Sequence, residues 1–171
     1  VKNIAPVFAG INLEDISAPR CFEIEDALQD IGIPVFHDDQ HGTAIVVLAA
    51  VINAAKLANK NITELNVVIN GAGAAGVAIA ELLLSMSIDD NETKAVNEIL
   101  MCDTKGIISE KREDIADNPA KIRIARRTNR NKKTGSLADA MIGADLFIGV
   151  SVAGAVTKDM VKSMNDKPII L

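Results

Sequence analysis

Residues 67–80, Val-Val-Ile-Asn-Gly-Ala-Gly-Ala-Ala-Gly-Val-Ala-Ile-Ala, decide how the rest of the chain is read. Val67 to Ile69 form a β-branched apolar run, the pattern of a buried strand. The run meets Gly71-x-Gly73-x-x-Gly76, and the Ala-rich segment beyond it is expected to be helical to about Met86. Each glycine has its own job in such a turn. Gly71 permits the tight bend, Gly73 lets a pyrophosphate approach the backbone, and Gly76 lets the helix pack closely on the strand. The helix N-terminus then offers free N–H groups and a positive dipole end to phosphates. Strand, glycine turn and helix together predict dinucleotide binding.

Working outward from that turn, strands and helices alternate. Residues 4–13 are expected to be a strand, and the break at Ser17-Ala18-Pro19 opens a helix that stops at Gly32. A short strand, Ile33 to Phe36, ends at His37-Asp38-Asp39. Residues 44–58 are apolar nearly all round, are too short for a bilayer span, and are expected to be a buried core helix. After the glycine turn and its helix, the polar stretch 88–94 is expected to be a surface loop, and Ile99 to Cys102 a strand ending at Asp103. Asn118-Pro119, Ser136 and Thr157 open further helices. Between them a strand over 145–150 runs into Ser151-Val152-Ala153-Gly154, and Lys167 to Leu171 is expected to be a last strand. The expected fold class is α/β, a doubly wound parallel sheet of Rossmann type with right-handed crossovers. The expected division is a connecting strand–helix–strand segment over 1–42 and a dinucleotide-binding domain over 43–171. In such sheets ligands lie beyond the carboxyl ends of the strands. Glu14-Asp15, Asp38-Asp39, Asp103 and Ser151 occupy those ends.

Composition sets limits. The 171 residues suffice for one domain, and 49% are hydrophobic, which suits a sheet covered on both faces. A formal charge of −5 argues against nucleic acid, and the basic run from Arg123 to Lys133 has no interleaved aromatics. It is expected to be a solvated face. Cys21 and Cys102 have no paired or zinc-like spacing and are expected to be core thiols of a reducing compartment. No basic-then-apolar leader opens the sequence, so the expectation is the cytoplasm, or an organelle matrix, with no membrane partner. The sequence begins with Val1 and contains no tyrosine, and it is expected to be a piece of a longer polypeptide.

Carboxylates are hard oxygen donors suited to Mg²⁺ or Mn²⁺. Glu14 and Asp15 point to opposite faces of a regular strand, so joint ligation needs the chain to bend there. The plain alternatives are a solvated strand end for Glu14-Asp15 and an acid-stabilised helix start for Asp38-Asp39.

Three motifs, Leu13-Glu14-Asp15, Val35-Phe36-His37-Asp38-Asp39-Gln40-His41-Gly42-Thr43-Ala44 and Val68-Ile69-Asn70-Gly71-Ala72-Gly73-Ala74-Ala75-Gly76, resemble in order and spacing the malic enzyme family. The middle motif is the most specific and resembles the bacterial-type branch. The similarity continues through Gly149-Val150-Ser151 to the C-terminus. The resemblance implies metal ligands at Glu14, Asp15 and Asp39, and a catalytic acid at Asp38 that partners a lysine. It implies a pyrophosphate loop at Gly71, Gly73, Ala74, Ala75 and Gly76, with Asp103 near the adenosine ribose. Thr43, Asn70, Val150, Ser151 and Ala153 would line the cofactor cleft. The implied reaction is oxidative decarboxylation of L-malate to pyruvate and CO₂ with NAD or NADP and Mg²⁺ or Mn²⁺. Malolactic conversion, a non-catalytic dinucleotide-sensing module and a metal-independent dehydrogenase are the alternatives. Asp103 disfavours the 2′-phosphate of NADP, and Lys105 can offset it. The family's catalytic tyrosine and lysine belong to an upstream domain, the partner expected in the full-length protein along with homo-oligomers. The stretch alone is expected to be inactive.

Overall fold

The central strand is β3, Asn66–Asn70, and both its neighbours run parallel to it. The computed structural model describes residues 1–85 and 96–171. The polar loop expected over 88–94 lies outside those residues. The main sheet has the order β5-β4-β3-β6-β7, with β4 at Glu98–Asp103, β5 at Gly106–Ile107, β6 at Leu146–Gly149 and β7 at Ile169–Ile170. Strand alternation sends Val67 and Ile69 into one core and Val68 into the other. The first core lies under α2 (Thr43–Ala58), α3 (Ala74–Ser85) and α4 (Pro119–Arg127). The second lies under the short helices α5 (Leu137–Met141) and α6 (Lys158–Lys162). Helices on both faces of a mainly parallel sheet make this a Rossmann-type α/β fold.

Five features differ from the expectation. The β4–β5 pair is antiparallel, so the sheet is mixed. Gly106 makes the reversal with φ +105°, and a Cβ there would stand 2.2 Å from the Gly135 carbonyl oxygen. Residues 4–13 are not one strand. Pro6 lies in a 3₁₀ turn, Ala5–Val7, and only Ile11–Leu13 forms β1. The first helix, α1, is shorter than expected, Arg20–Asp26, because Leu28 N–H bonds the Glu25 carbonyl three residues back and tightens the end.

The fourth difference concerns the sheet itself. β1 pairs in parallel with β2, Val35–His37, in a separate two-stranded sheet. The ends of β1 and β2 therefore adjoin each other and do not lie along the main sheet's edge. The fifth is α2. With the π-helical turn Asp38–Gly42 that leads into it, the apolar helical stretch is 21 residues long, enough by length and composition to cross a bilayer. Val51 and Ala55 pack into the core, whereas Ile45, Val46 and Leu57 are exposed. It is a half-buried helix, not one buried all round. Cys21 and Cys102 are buried free thiols, and burial pushes Cys102 up to about 12.

Candidate functional site: a glycine turn and an acidic turn

The glycine turn is held by backbone. Gly71 N–H donates to the Cys102 carbonyl (2.9 Å), and Val150 N–H donates to the Asn70 carbonyl (3.0 Å). Gly71 sits at φ +125°, where a Cβ would come within 2.5 Å of the Val150 carbonyl oxygen. A Cβ on Gly76 would stand 1.9 Å from the Gly71 carbonyl oxygen. Both glycines are thus demanded by the turn itself. Gly73 is different: its φ is unexceptional, and a Cβ there would meet nothing within 4 Å. No contact inside the described residues requires a glycine at 73. The space in front of it, at the start of α3, is open to a ligand. Ala74 and Ala75 begin α3, Asn70 is buried at the end of β3, and Val150 packs beside the turn. Ser151 and Ala153 are exposed beyond β6, and Thr43 opens α2.

Asp103 ends β4, next to the glycine turn. It is not a free carboxylate. Arg112 donates to both its oxygens (2.8 and 3.0 Å), Lys121 Nζ lies 2.6 Å from Oδ2, and Lys105 N–H donates to Oδ1 at 2.9 Å. Burial works to raise its pKa, but these donors outweigh it and hold the group at about 2. Asp114 shares Arg112 and also pairs with Lys105. Three cations therefore surround two carboxylates. Nothing local in the sequence marks Arg112 and Lys121 as partners of Asp103. They lie nine and eighteen residues beyond Asp103 and meet it only through the fold.

The acidic turn is held mostly by side chains. Glu14 and Asp15 follow β1, and Asp38 and Asp39 follow β2, so the strand pairing brings the four acids to one end of the small sheet. Asp15 takes a left-handed φ of 58°, the bend that the sequence required. Its N–H donates to Asp39 Oδ2 at 2.8 Å. Glu14 instead accepts from Asn12 Nδ2 (2.7 Å), and Asp38 is exposed over Gly42, where a Cβ would stand 2.3 Å from Oδ1. Among the described residues no three His, Cys, Asp or Glu side chains are arranged to hold a metal ion. The donor chemistry fits Mg²⁺ or Mn²⁺, and the Asp15 backbone already meets the Asp39 carboxylate, but the set of three is not assembled. His37, fully buried, has no hydrogen-bond partner for either ring nitrogen among the described residues, and its Nε2 is 3.8 Å from Asp39 Oδ2.

A family profile described as "Malic enzyme, NAD binding domain" matches residues 40–171. The chain belongs to the malic enzyme family. It carries that family's Rossmann-type NAD(P)-binding domain. It is 53% identical to the bifunctional malic/malolactic enzyme of Bacillus subtilis, covering 99% of this chain and 40% of that protein. It is 49% identical to a probable NADP-dependent malic enzyme of Rickettsia prowazekii, across 99% of this chain and 21% of that one. The crystal structure of an NAD-dependent malic enzyme from Thermotoga maritima superposes with a TM-score of 0.90 at 45% identity, covering 99% of this chain and 43% of the other. The chain thus spans less than half the length of these relatives.

Proposed function

We propose that this domain binds NAD or NADP with the pyrophosphate over Gly71, Gly73, Ala74, Ala75 and Gly76. The observation that carries the reading is the open space at Gly73, a glycine that the described fold does not itself demand. The free N–H groups at the start of α3 face that space. Thr43, Asn70, Val150, Ser151 and Ala153 are the cleft residues of this reading, and Asp103 lies at the adenosine ribose. Because Arg112 and Lys121 compensate the Asp103 charge, the carboxylate does not by itself exclude a 2′-phosphate. Relatives named for each cofactor agree with leaving both open.

In the full-length protein the proposed reaction is oxidative decarboxylation of L-malate to pyruvate and CO₂. Glu14, Asp15 and Asp39 would hold Mg²⁺ or Mn²⁺, which when bound supplies Lewis-acid chemistry at the substrate oxygens. Asp38, exposed beside them, is the proposed proton-handling acid, paired with a lysine from outside this stretch. The glycine turn and α3 fix the dinucleotide. With no tyrosine among the 171 residues, these residues alone are expected not to turn over malate. The division proposed is residues 1–42 as the acid-bearing connection and 43–171 as the dinucleotide domain. A second reading, malolactic conversion, is favoured by the name of the Bacillus relative. Product analysis of the full-length enzyme, pyruvate against lactate, separates the two.

The test of the dinucleotide site is Gly73→Val. A Cβ there meets nothing within 4 Å, so the added side chain enters the phosphate space from an uncrowded position. Folding and thermal stability should be retained while NADH affinity, read by fluorescence titration, falls about 100-fold or more. Unchanged NADH affinity in the folded variant defeats the reading.

A further inference from the structure

The acidic turn is a π-helical turn, Asp38–Gly42, a rare geometry that recurs at functional sites. Its side chains are tied to α1, the crossover helix between β1 and β2. Glu25 is a buried carboxylate on α1, and no lysine or arginine pairs with it among the described residues. Its Oε2 accepts from Gln40 Nε2 at 2.9 Å, and its Oε1 lies 2.6 Å from His41 Nε2. Gln40 is itself buried, and the His41 ring packs against Phe36 with centroids 5.7 Å apart. Both partners of Glu25 therefore belong to the turn that carries Asp38 and Asp39, and both come directly after Asp39.

Burying a carboxylate is costly unless its lone pairs are used. Here they are used on the turn. The geometry points to Glu25 as a positioning residue for the acidic turn. It fixes the backbone that presents Asp38 and Asp39, while Asp15 N–H fixes the Asp39 carboxylate from the other side. Glu25 acts through Gln40 and His41, which take its two carboxylate oxygens. The inference rests on the reading of the turn as a divalent-metal site.

The test uses the full-length protein and two separate titrations, Mn²⁺ by electron paramagnetic resonance and NADH by fluorescence. Glu25→Ala removes the clamp, and Mn²⁺ affinity should fall about 10- to 100-fold, with NADH affinity held within about twofold. Glu25→Gln keeps an amide oxygen that accepts from Gln40 or His41, so it should recover most of the loss. A structural role alone would lower both affinities together and would show no such rescue. Mn²⁺ affinity unchanged in folded Glu25→Ala, equal loss of Mn²⁺ and NADH, or no recovery with Gln each overturns the proposal. If Glu25→Ala does not fold, Gln40→Met breaks the clamp from the turn side and is read by the same outcomes. Asp39→Ala separates the two levels. If Asp39→Ala leaves Mn²⁺ binding intact, the metal reading fails and takes the role of Glu25 with it. If Asp39→Ala abolishes binding and Glu25→Ala does nothing, only the role of Glu25 is overturned.

Discussion

The two turns differ in what holds them. The glycine turn lies at the centre of a five-stranded sheet, and its fixing contacts are main-chain groups: Gly71 N–H to Cys102, Val150 N–H to Asn70. The acidic turn lies at the end of a two-stranded sheet, and its contacts run through the side chains of Glu25, Gln40, His41 and Asp39. A site made of backbone is finished when the sheet folds. One made of side chains depends on partners brought from other elements, and on the ligand to complete it. The first should be rigid and intolerant of added atoms, the second adjustable and sensitive to the loss of a hydrogen bond.

The largest effect expected from this contrast is at Gly76. A Cβ there would overlap the Gly71 carbonyl oxygen at 1.9 Å, and backbone on both sides cannot give way cheaply. Gly76→Ala should cost about 3 kcal/mol or more in urea unfolding. Gly73→Ala, three residues away and facing open space, should cost well under 1 kcal/mol. Equal costs for the two would break the claim that one glycine serves the fold and the other the ligand.

Asp103 stands between the two types, since its strand lies inside the main sheet but its partners are mostly side chains. Asp103→Asn leaves Lys121 without its carboxylate and weakens the Arg112 fork, at an expected cost of about 2 kcal/mol near neutral pH. The same change should shift the NADP-to-NAD affinity ratio upward, because two cations lose their counter-charge. The pH dependence has a definite sign. The folded carboxyl titrates at about 2, below the unfolded value of about 3.9. Its stabilisation is therefore present above about pH 4 and lost as pH falls through about 2. Denaturation curves of wild type and Asp103→Asn should differ at pH 6 and converge near pH 2. A gap that persists at pH 2 would mean that the ion pairs are not its source.

The same contrast explains how much the sequence discloses. The glycine turn is legible because strand, turn and helix are contiguous over 67–80 and each residue type answers to a backbone constraint there. Asn118, Ser136 and Thr157 do cap their helices as local chemistry predicts. The reversal at Gly106 is not legible, since its need for glycine comes from Gly135 far along the chain. Nor is the division into two sheets, because β1 and β2 have ordinary strand patterns and only pairing distinguishes them. The exposure of Ile45, Val46 and Leu57 on α2 is equally hidden, as an apolar helix has the same sequence whether one face or all of it is covered. Arg112, Lys121 and Glu25 are invisible as partners, for side-chain contacts across nine to eighteen residues carry no periodicity.

The smallest expected effect is also the one of opposite sign. His37 is buried completely, and among the described residues its two ring nitrogens meet no partner, which costs about 1–3 kcal/mol per unsatisfied group. A residue kept at such a cost calls for a reason, and the nearest is Asp39, whose Oδ2 lies 3.8 Å from Nε2. That is too long for a hydrogen bond, which needs about 3.2 Å or less, but a sub-ångström shift of the carboxylate would make one. His37→Leu replaces the unpaired nitrogens with an apolar side chain of similar size. Without metal the variant should be as stable as wild type or more so, by about 1 kcal/mol. With Mn²⁺ added, wild type should gain more stability than the variant, because the histidine can add a second donor, beside Asp15 N–H, that holds Asp39 in its ligating position. Urea titrations with and without Mn²⁺ measure both quantities. If His37→Leu is destabilising without metal, the ring already has partners in solution and is part of the fold. If the Mn²⁺ gain is the same in both proteins, the acidic turn owes nothing to His37, and the side-chain character of that site rests on Glu25 and Asp15 alone.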